Sequence, residues 1–316
     1  MHWVTTIPPL NLLVSVVTPS FNQAQFIEET LRSVELQHYR PIHQIVIDGG
    51  STDGTVELLK QWEAKDHGEG YTFEWISEPD RGHADALNKG FDRVRGQVVG
   101  WLNSDDVYFD RETVDSSVAA LQAHPDVDVV YGEAALISEE SGLQMIWCVP
   151  RLKYDRLLLG RTISQPSVFF RRCVVEKHRL DSSLRVAIDL IYWLQICKEH
   201  RFLKIHRIQA GDRDQRARIS RVSTAALFDT TKRACLDSGA RDNAGLRERV
   251  ADVLWRVVLR IKGFVYMLGL LLRRGSKSKL AFPLWIDSIP KALSRQLTMR
   301  IMRRTDMGRR QPGLPL

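Results

Sequence analysis

Cysteine is scarce in this 316-residue chain, which contains only four. They lie far apart and form no C-x-x-C pair, at Cys148, Cys173, Cys197 and Cys235. A disulfide framework or a zinc site needs cysteines that are grouped at short, regular spacings. The sequence therefore indicates a chain that folds in a reducing compartment without structural disulfides.

Long apolar runs are also missing. The apolar stretch 263–272 has only ten residues and lies between Lys262 and Arg273, whereas a helix that spans a bilayer needs about 20. A secretory signal is not recognisable, because the N-terminus lacks a basic segment and Pro8-Pro9 interrupts its apolar residues. We therefore expect a cytoplasmic protein.

Several common catalytic motifs are absent. The glycine-rich segment 47–54 follows a predicted strand but contains no G-x-G-x-x-G dinucleotide fingerprint. Gly54 is followed by Thr55-Val56 instead of the Lys-Ser/Thr of a phosphate-binding loop, and Asp53 stands where a nucleophile elbow requires glycine. The nine histidines include no H-E-x-x-H. These absences disfavour dehydrogenases, P-loop enzymes, α/β-hydrolases and zinc proteases.

Charge is divided unequally along the chain. Residues 201–316 contain 26 Lys and Arg against 9 Asp and Glu, a net charge of +17, whereas residues 1–200 contain 19 against 29, a net charge of −10. A strongly basic region is typical of a surface that binds membranes or nucleic acids. The two regions are therefore expected to do different jobs.

The first 130 residues alternate between short apolar runs and helical patterns. The runs predict strands at 12–18, 44–47, 71–76, 97–102 and 127–131, and the patterns predict helices at 22–36, 53–64, 83–94 and 113–123. Such alternation predicts an α/β fold, with a Rossmann-like, mainly parallel sheet flanked by helices.

The later residues are less regular. They predict a hairpin of 134–137 with 143–149, a strand at 167–170, a helix at 187–200 with Ile191 facing inward, a strand at 202–205 and a helix at 247–272. In the last helix Asp252, Arg256 and Arg260 form one polar face, so the helix is expected to lie on a membrane, on a partner or on its own domain. We divide the chain into a catalytic domain, 1–210, with halves at about 10–132 and 133–210, and a basic, mostly helical extension, 211–316.

Polar residues follow three of the predicted strands at their carboxyl ends. Thr18, Asp48 and the pair Asp105-Asp106 all occupy such positions, where ligands bind in parallel sheets. Two adjacent carboxylates repel each other unless a cation or hydroxyl groups lie between them, and oxygen ligands suit Mg²⁺ or Mn²⁺. This convergence predicts that a nucleoside diphosphate binds here through a metal ion.

Four ordered motifs resemble glycosyltransferase family 2 between about residues 13 and 208. They are Val14–Asn22 (VSVVTPSFN), Ile47–Thr55 (IDGGSTDGT), Ser77–Gly90 (SEPDRGHADALNKG) and Leu102–Asp106 (LNSDD). The resemblance implies the GT-A fold, a nucleoside-diphosphate sugar as donor, Mn²⁺ or Mg²⁺ as cofactor, and transfer with inversion.

The resemblance also implies roles for individual residues on the donor side. Asp106 would be a ligand of the metal ion, and Asp105 would contact the ribose. The other contacts with the nucleotide sugar would come from Thr18, Pro19, Asp48, Arg81, Lys89 and Gln165. Turn chemistry remains an alternative for Asp48, and solvated helix charges are alternatives for Arg81 and Lys89. Asp53 is interpreted as the N-cap of the next helix.

The catalytic base implied by the resemblance is Asp189, in the segment 187–194 (AIDLIYWL). An inverting transfer needs one carboxylate to take the proton of the acceptor hydroxyl. The chain departs from the family pattern two residues later, where Ile191 replaces a second acid, so Asp189 is the nearby candidate. The Q-x-x-R-W segment of processive synthases is absent, which favours transfer of a single sugar.

The sequence thus predicts a hexosyltransferase-type enzyme of polysaccharide or glycoconjugate biosynthesis, acting on a glycan or lipid-linked acceptor. Its basic extension is expected to bind an anionic membrane, placing the protein at the inner face. One alternative is a nucleotidyltransferase, although 18–22 lacks the expected Gly- and Arg-containing segment. The other is a nucleic-acid-binding protein, which the lack of aromatics among the basic residues disfavours.

Overall fold

A parallel sheet forms the first half of the molecule. The computed structural model describes residues 11–149, 151–215 and 224–240, together with 257–258, 261 and 263–265. The first four strands are β1 (Val14–Ser20), β2 (Ile42–Asp48), β3 (Tyr71–Ser77) and β4 (Val98–Trp101). They pair in the order β3-β2-β1-β4, all parallel. β1 and β2 are buried along their whole length, which explains their continuous apolar runs.

Helices connect these strands and cover the sheet. They are α1 (Ile27–Glu35), α2 (Thr55–Glu63) and α3 (His83–Phe91). Helix α3 lies close against β1 because position 90 is glycine: a Cβ there would lie 2.3 Å from Val17 Cγ1.

The second half adds antiparallel strands and further helices. The strands are β5 (Val107–Tyr108), β6 (Val129–Ile137), β7 (Leu143–Trp147), β8 (Val168–Arg171) and β9 (Phe202–Arg213). The helices are α4 (Thr113–Ala123), α5 (Tyr154–Leu157), α6 (Arg172–Lys177), α7 (Ile188–Ile196) and α8 (Thr224–Asp237), and a 3-10 turn covers Gln165–Ser167.

One mixed sheet of nine strands results, in the order β3-β2-β1-β4-β8-β6-β9-β5, with β7 paired to β6. Strand β8 runs antiparallel to both β4 and β6, while β6 and β9 are parallel. The expected α/β fold is confirmed. The sheet is less parallel than expected, because only β1–β4 form an uninterrupted parallel block and β8, β7 and β5 pair antiparallel with their neighbours. The carboxyl ends of β1, β2 and β4 lie at one edge, as expected for parallel neighbours.

Several element boundaries differ from the predictions. Helix α1 begins at Ile27 instead of 22, because Asn22 has a φ of 52° and the next residues form turns. Helix α7 ends at Ile196, and Ile191, expected to face inward, is only half buried. Strand β9 runs eight residues beyond the predicted strand 202–205, so the proposed boundary at residue 210 falls inside it.

The extension contributes at least one helix to the body of the protein. Cys235 of α8 is buried in the same core as Trp193 of α7. The helix predicted at 247–272 lies largely outside the described residues, although 257–258, 261 and 263–265 are helical. No helix in the described parts of the chain is long and apolar enough to cross a bilayer.

Candidate active site

An open cavity of about 1100 Å³ lies at the edge where β1, β2 and β4 end. Its other walls come from the 3-10 turn, the start of α7, the end of β9 and one face of α8. Six of the predicted site residues line it, namely Pro19, Arg81, Asp105, Asp106, Gln165 and Asp189. Because Asp189 follows Asp106 by more than 80 residues, the fold brings the two halves of the predicted site together.

Asp106 borders the cavity and is held in place by a network of hydrogen bonds. Asp106 is only 4% exposed. The backbone N–H of Arg213 donates to Asp106 Oδ1 at 2.8 Å, and Asn103 Nδ2 donates to Oδ2 at 3.1 Å. The Thr30 hydroxyl of α1 lies 2.8 Å from the Asp106 carbonyl oxygen. These contacts give the Asp106 carboxylate a single orientation.

Asp105 is more open to the cavity than its neighbour. Its residue is half buried, and Gln215 Nε2 donates to Oδ2 at 2.6 Å. The two adjacent carboxylates therefore differ in environment: both border the cavity, but Asp105 is more exposed than Asp106.

Arg213, which the sequence reasoning missed, braces this acidic loop. Its side chain is 0% exposed and pairs with Glu29 of α1 at 2.7 Å. The guanidinium donates from Nε to the Asp105 carbonyl at 2.7 Å, and from Nη1 to the Ser138 carbonyl and Ser141 Oγ at 3.1 and 2.8 Å. One buried cation thus joins β9, α1, the β6–β7 turn and the acidic loop.

Gln165 supports the loop from the opposite side. Its Nε2 donates to the Trp101 carbonyl at 2.5 Å, and its Oε1 accepts from Asn103 Nδ2 at 2.8 Å. Trp101 Nε1 in turn donates to Asn103 Oδ1 at 2.9 Å. Gln165 lines the cavity, but these hydrogen bonds show that it also fixes Asn103.

Thr18, Asp48 and Lys89 lie outside the cavity wall. Asp48 is fully buried, and its carboxylate accepts from Ser51 N–H at 2.9 Å and Ser77 Oγ at 2.7 Å, so it ties the β2–α2 loop to β3. Thr18 is buried and its hydroxyl has no hydrogen-bond partner in the described parts of the chain.

Two charged residues near α3 are engaged by neighbouring acids. Arg81 lines the cavity with a side chain that is 75% exposed and bonds Asp85 at 2.8 Å. Hydrogen bonds from Arg81 lower the pKa of Asp85. Lys89 pairs with Glu78 at 2.7 Å, so it stabilises the loop that carries Arg81.

Asp53 does not act as the predicted N-cap. The cap of α2 is Gly54, with a φ of 100°. Asp53 precedes it and accepts from Thr55 N–H at 3.0 Å and from Ala24 N–H at 2.9 Å. Its role is nonetheless structural, since it joins the loops after β1 and β2.

His83 is a second residue that the sequence reasoning missed. It begins α3, lines the cavity and packs on the Trp101 ring at 5.8 Å between centroids. Burial lowers the pKa of His83 to about 4. The ring is therefore neutral near pH 7, available as a hydrogen-bonding group and not as a cation.

Asp189 lies in the first turn of α7 and borders the cavity. The chain enters this helix through Ala187, which has a left-handed backbone with a φ of 56°. Asp189 is half buried, so its carboxylate can be approached from the cavity.

The donor groups suit a hard divalent cation that is shared with a phosphate ligand. Among the described residues, no three His, Cys, Asp or Glu side chains are grouped to hold a metal by themselves. Asp105 and Asp106 offer carboxylate oxygens at the cavity, and Mg²⁺ commonly combines one or two carboxylates with substrate phosphates and water.

Four wall residues after residue 210 carried no signal in the sequence motifs. Asp212 and Gln215 follow the predicted strand 202–205, and Leu227 and Thr231 lie in the extension.

A protein-family model matches most of the first half of the chain. The model of "Glycosyl transferase family 2" matches residues 15–164. An uncharacterized glycosyltransferase of Mycobacterium tuberculosis is 38% identical over 120 residues, which cover 38% of this chain and 44% of the relative. TuaG of Bacillus subtilis, whose name assigns it to teichuronic acid biosynthesis, is 29% identical, covering 59% of this chain and 73% of TuaG. The match thus spans less than half the length of the mycobacterial relative.

Solved structures share the fold at low sequence identity. Residues 1–349 of TarS from S. aureus, in complex with UDP-GlcNAc, align with a TM-score of 0.56 and 17% identity, covering 74% of this chain and 69% of that one. The mannosyltransferase PcManGT from Pyrobaculum calidifontis, in complex with GDP-Man and Mn²⁺, aligns with a TM-score of 0.52 and 16% identity, covering 86% and 89%.

Proposed function

We propose that the protein is a glycosyltransferase of family 2, whose model matches residues 15–164, and that it transfers one sugar, with inversion, from a nucleoside-diphosphate sugar to a glycan or lipid-linked acceptor. The observation that carries the proposal is one cavity lined by Asp105, Asp106 and Asp189. Inversion needs a carboxylate base that takes the proton of the acceptor hydroxyl on the face of the reacting carbon opposite the leaving diphosphate.

The metal, Mn²⁺ or Mg²⁺, would be held at Asp105 and Asp106. The burial of Asp106 and its bonds to Arg213 and Asn103 favour Asp105 as the direct ligand, with Asp106 orienting the loop behind it. This reverses the division of roles that the family resemblance implies. A bound cation would offset the charge of the leaving diphosphate.

Asp189 is proposed as the base. Its carboxylate takes the proton of an acceptor hydroxyl as that oxygen bonds to the anomeric carbon, while the bond from this carbon to the diphosphate oxygen breaks. The nucleoside diphosphate leaves on the opposite side, so the configuration inverts. The half-buried position of Asp189 at the cavity edge supports this role.

The nucleotide is proposed to bind along the ends of β1 and β2. Pro19 lines the cavity there. The buried Thr18, which precedes it in the chain, carries a hydroxyl group close to the place proposed for the nucleobase. Asp48 shapes the same edge through Ser51 and Ser77. Arg81 is exposed in the cavity and suits the diphosphate, with Lys89 acting through Glu78 and Gln165 through Asn103.

The extension is proposed to hold the enzyme at a membrane, on the cytoplasmic face, for polysaccharide or glycoconjugate synthesis. Residues 201–316 carry a net charge of +17, and each basic residue near an anionic surface contributes about 1 kcal/mol. Co-sedimentation with anionic vesicles at low salt, lost at high salt, would support this; equal binding to neutral vesicles would contradict it.

A ligand screen tests the donor side directly. The melting temperature of the full chain is measured with UDP, GDP and their sugars, each with and without Mn²⁺, and with Mn²⁺ alone. We expect one nucleotide to stabilise the protein, and more strongly with Mn²⁺, because a ligand that binds the native state raises its stability. No shift with any nucleotide would contradict the proposal.

Two variants then test the chemistry. Asp189→Asn should bind the nucleotide as the wild type does but lose transfer, whereas Asp105→Ala should lose the Mn²⁺-dependent part of the stabilisation. The released product should be a nucleoside diphosphate; release of pyrophosphate would instead identify a nucleotidyltransferase.

A further inference from the structure

Helix α8 forms a wall of the cavity that lies outside the residues matched by the family model. Leu227 and Thr231, one turn apart, line the cavity. The helix is anchored by Cys235, whose Sγ lies 3.4 Å from the Leu157 carbonyl oxygen, and by Ser238, whose carbonyl accepts from Tyr154 Oη at 2.9 Å. This part of the extension is therefore built into the site.

The loop after α5 completes this wall. A Cβ on Gly160 would lie 3.1 Å from Thr231 Cγ2, so the loop and the helix are in contact. We call Trp147, Gly160, Thr162, Ile163, Leu227 and Thr231 the C-terminal wall. Helix α7, whose first turn carries Asp189, packs against both α5 and α8, and Asp189 lines the same cavity as the wall.

The chemistry of the C-terminal wall differs from that of the donor side. None of its six residues is charged; they offer apolar surface, one indole and two hydroxyls. The charged residues of the cavity lie outside this wall, and they include Asp80, Arg81, Asp105, Arg185 and Arg213. A charged acceptor group would therefore find no charged partner on the C-terminal wall itself, while hydroxyl groups and hydrocarbon would find partners there.

Two large, exposed apolar side chains are next in sequence to residues of this wall. Phe228 directly follows Leu227 and is 67% exposed, and Leu159 directly precedes Gly160 and is 44% exposed. Contiguous exposed apolar surface marks an interaction site, whereas single exposed apolar residues are common. Phe228 and Leu159 belong to the two segments that meet at Thr231 and Gly160, which places both segments at this wall.

We propose that the C-terminal wall is the acceptor subsite and that it takes an amphiphile: an uncharged, hydroxyl-bearing head group beside Asp189, with its hydrocarbon chain along Leu227 and out across Phe228 and Leu159. The proposal rests on the proposed function, because it assigns the acceptor of that same site. The basic charge of residues 201–316 agrees with an acceptor that is presented at an anionic lipid surface.

Binding of two glucosides tests the subsite without requiring transfer. The full chain is titrated with octyl β-D-glucopyranoside, below its micelle concentration, and with methyl β-D-glucopyranoside, by calorimetry. We expect the octyl compound to bind at least tenfold more tightly, because each buried methylene strengthens binding. Equal affinities, or tighter binding of maltotetraose than of the octyl compound, would overturn the proposal in favour of a polar glycan.

Variants on α8 locate the effect. Phe228→Ser should reduce the octyl preference at least threefold, the conservative Phe228→Leu should retain it, and the control Asp229→Ser, at the adjacent exposed position, should leave it unchanged. An octyl preference that survives Phe228→Ser would show binding elsewhere and overturn the assignment. Melting temperatures of all variants verify folding.

Nucleotide binding by the same samples separates this proposal from the proposed function. Wild-type protein that prefers the octyl glucoside but binds no nucleotide would contradict the proposed function and leave the apolar subsite standing. Protein that binds nucleotide with Mn²⁺ but shows no octyl preference would contradict only the subsite.

Discussion

Replacing Arg213 by methionine should both destabilise the protein and weaken its metal dependence. The change removes a charge that is 0% exposed, together with its bonds to Glu29, the Asp105 carbonyl and Ser141. Hydrogen bonds from charged groups each contribute about 1.5–3 kcal/mol, but the contacts of one side chain do not add. Removing one partner of a buried pair costs about 3–5 kcal/mol.

The lower end of that range applies here, because the Glu29 side chain is 31% exposed and water can solvate it. We therefore expect Arg213→Met to lower the free energy of unfolding by about 3 kcal/mol, measured from urea midpoints at constant m-value. The Mn²⁺ concentration that gives half-maximal activity should rise, because the Asp105-Asp106 loop loses its brace.

Glu29→Gln provides the matched control. It keeps the contact of Arg213 with the Asp105 carbonyl but removes the Glu29 charge beside a guanidinium that is 0% exposed. We therefore expect a loss of about 3 kcal/mol here as well. In the double variant the coupling energy should be at least about 1 kcal/mol. A loss below about 1 kcal/mol for Arg213→Met, with an unchanged Mn²⁺ dependence, would refute the bracing role.

Four further changes test the site and the packing beneath it. Asp105→Asn should raise the Mn²⁺ concentration for half-maximal activity at least tenfold, as measured by Mn²⁺ titration. Asp106→Asn should mainly lower the free energy of unfolding, by about 1–3 kcal/mol in urea unfolding, because the new amide group would face the N–H donors of Arg213 or Asn103. The pKa of His83 is lower in the folded protein, so between about pH 4 and 6.5 the unfolded state binds more protons than the folded state. The free energy of unfolding of the wild type therefore falls as the pH falls through this range. His83→Gln should make the free energy of unfolding less dependent on pH there. Gly90→Ala should cost about 1–3 kcal/mol, because its Cβ would overlap Val17, and an unchanged melting temperature would contradict this packing.

The expected order of strands and helices through residue 123 is confirmed because each element carries its own period. Strands β1 and β2 are buried throughout and therefore read as continuous apolar runs. Helix α4 matches its predicted bounds at Thr113–Ala123. Boundaries that depend on turns were less accurate, as at Asn22, where a left-handed residue delays α1.

The reach of β9 could not be predicted from local pattern. Its last residues, through Arg213, are buried, but Gly211, Asp212 and Arg213 look like a polar loop in sequence. They become strand because they pair with Ala135, Leu136 and Ile137 of β6. Tertiary pairing overrides the weak strand propensity of glycine and aspartate.

The sequence by itself determined the succession of strands and helices in the parallel part of the sheet and the carboxylates that follow its strands, because buried strands and strand-end acids are local features. Only the tertiary structure decided that the sheet continues with antiparallel strands, and that Asp106 is almost fully buried while Asp105 is more exposed. That difference depends on Arg213, 107 residues later, whose backbone N–H reaches Asp106. Likewise, α8 borders the same cavity as Asp189 only because apolar burial of Cys235 docks it there. Contacts between residues so distant in the chain leave no periodic trace in sequence, since they are set by how separate elements pack.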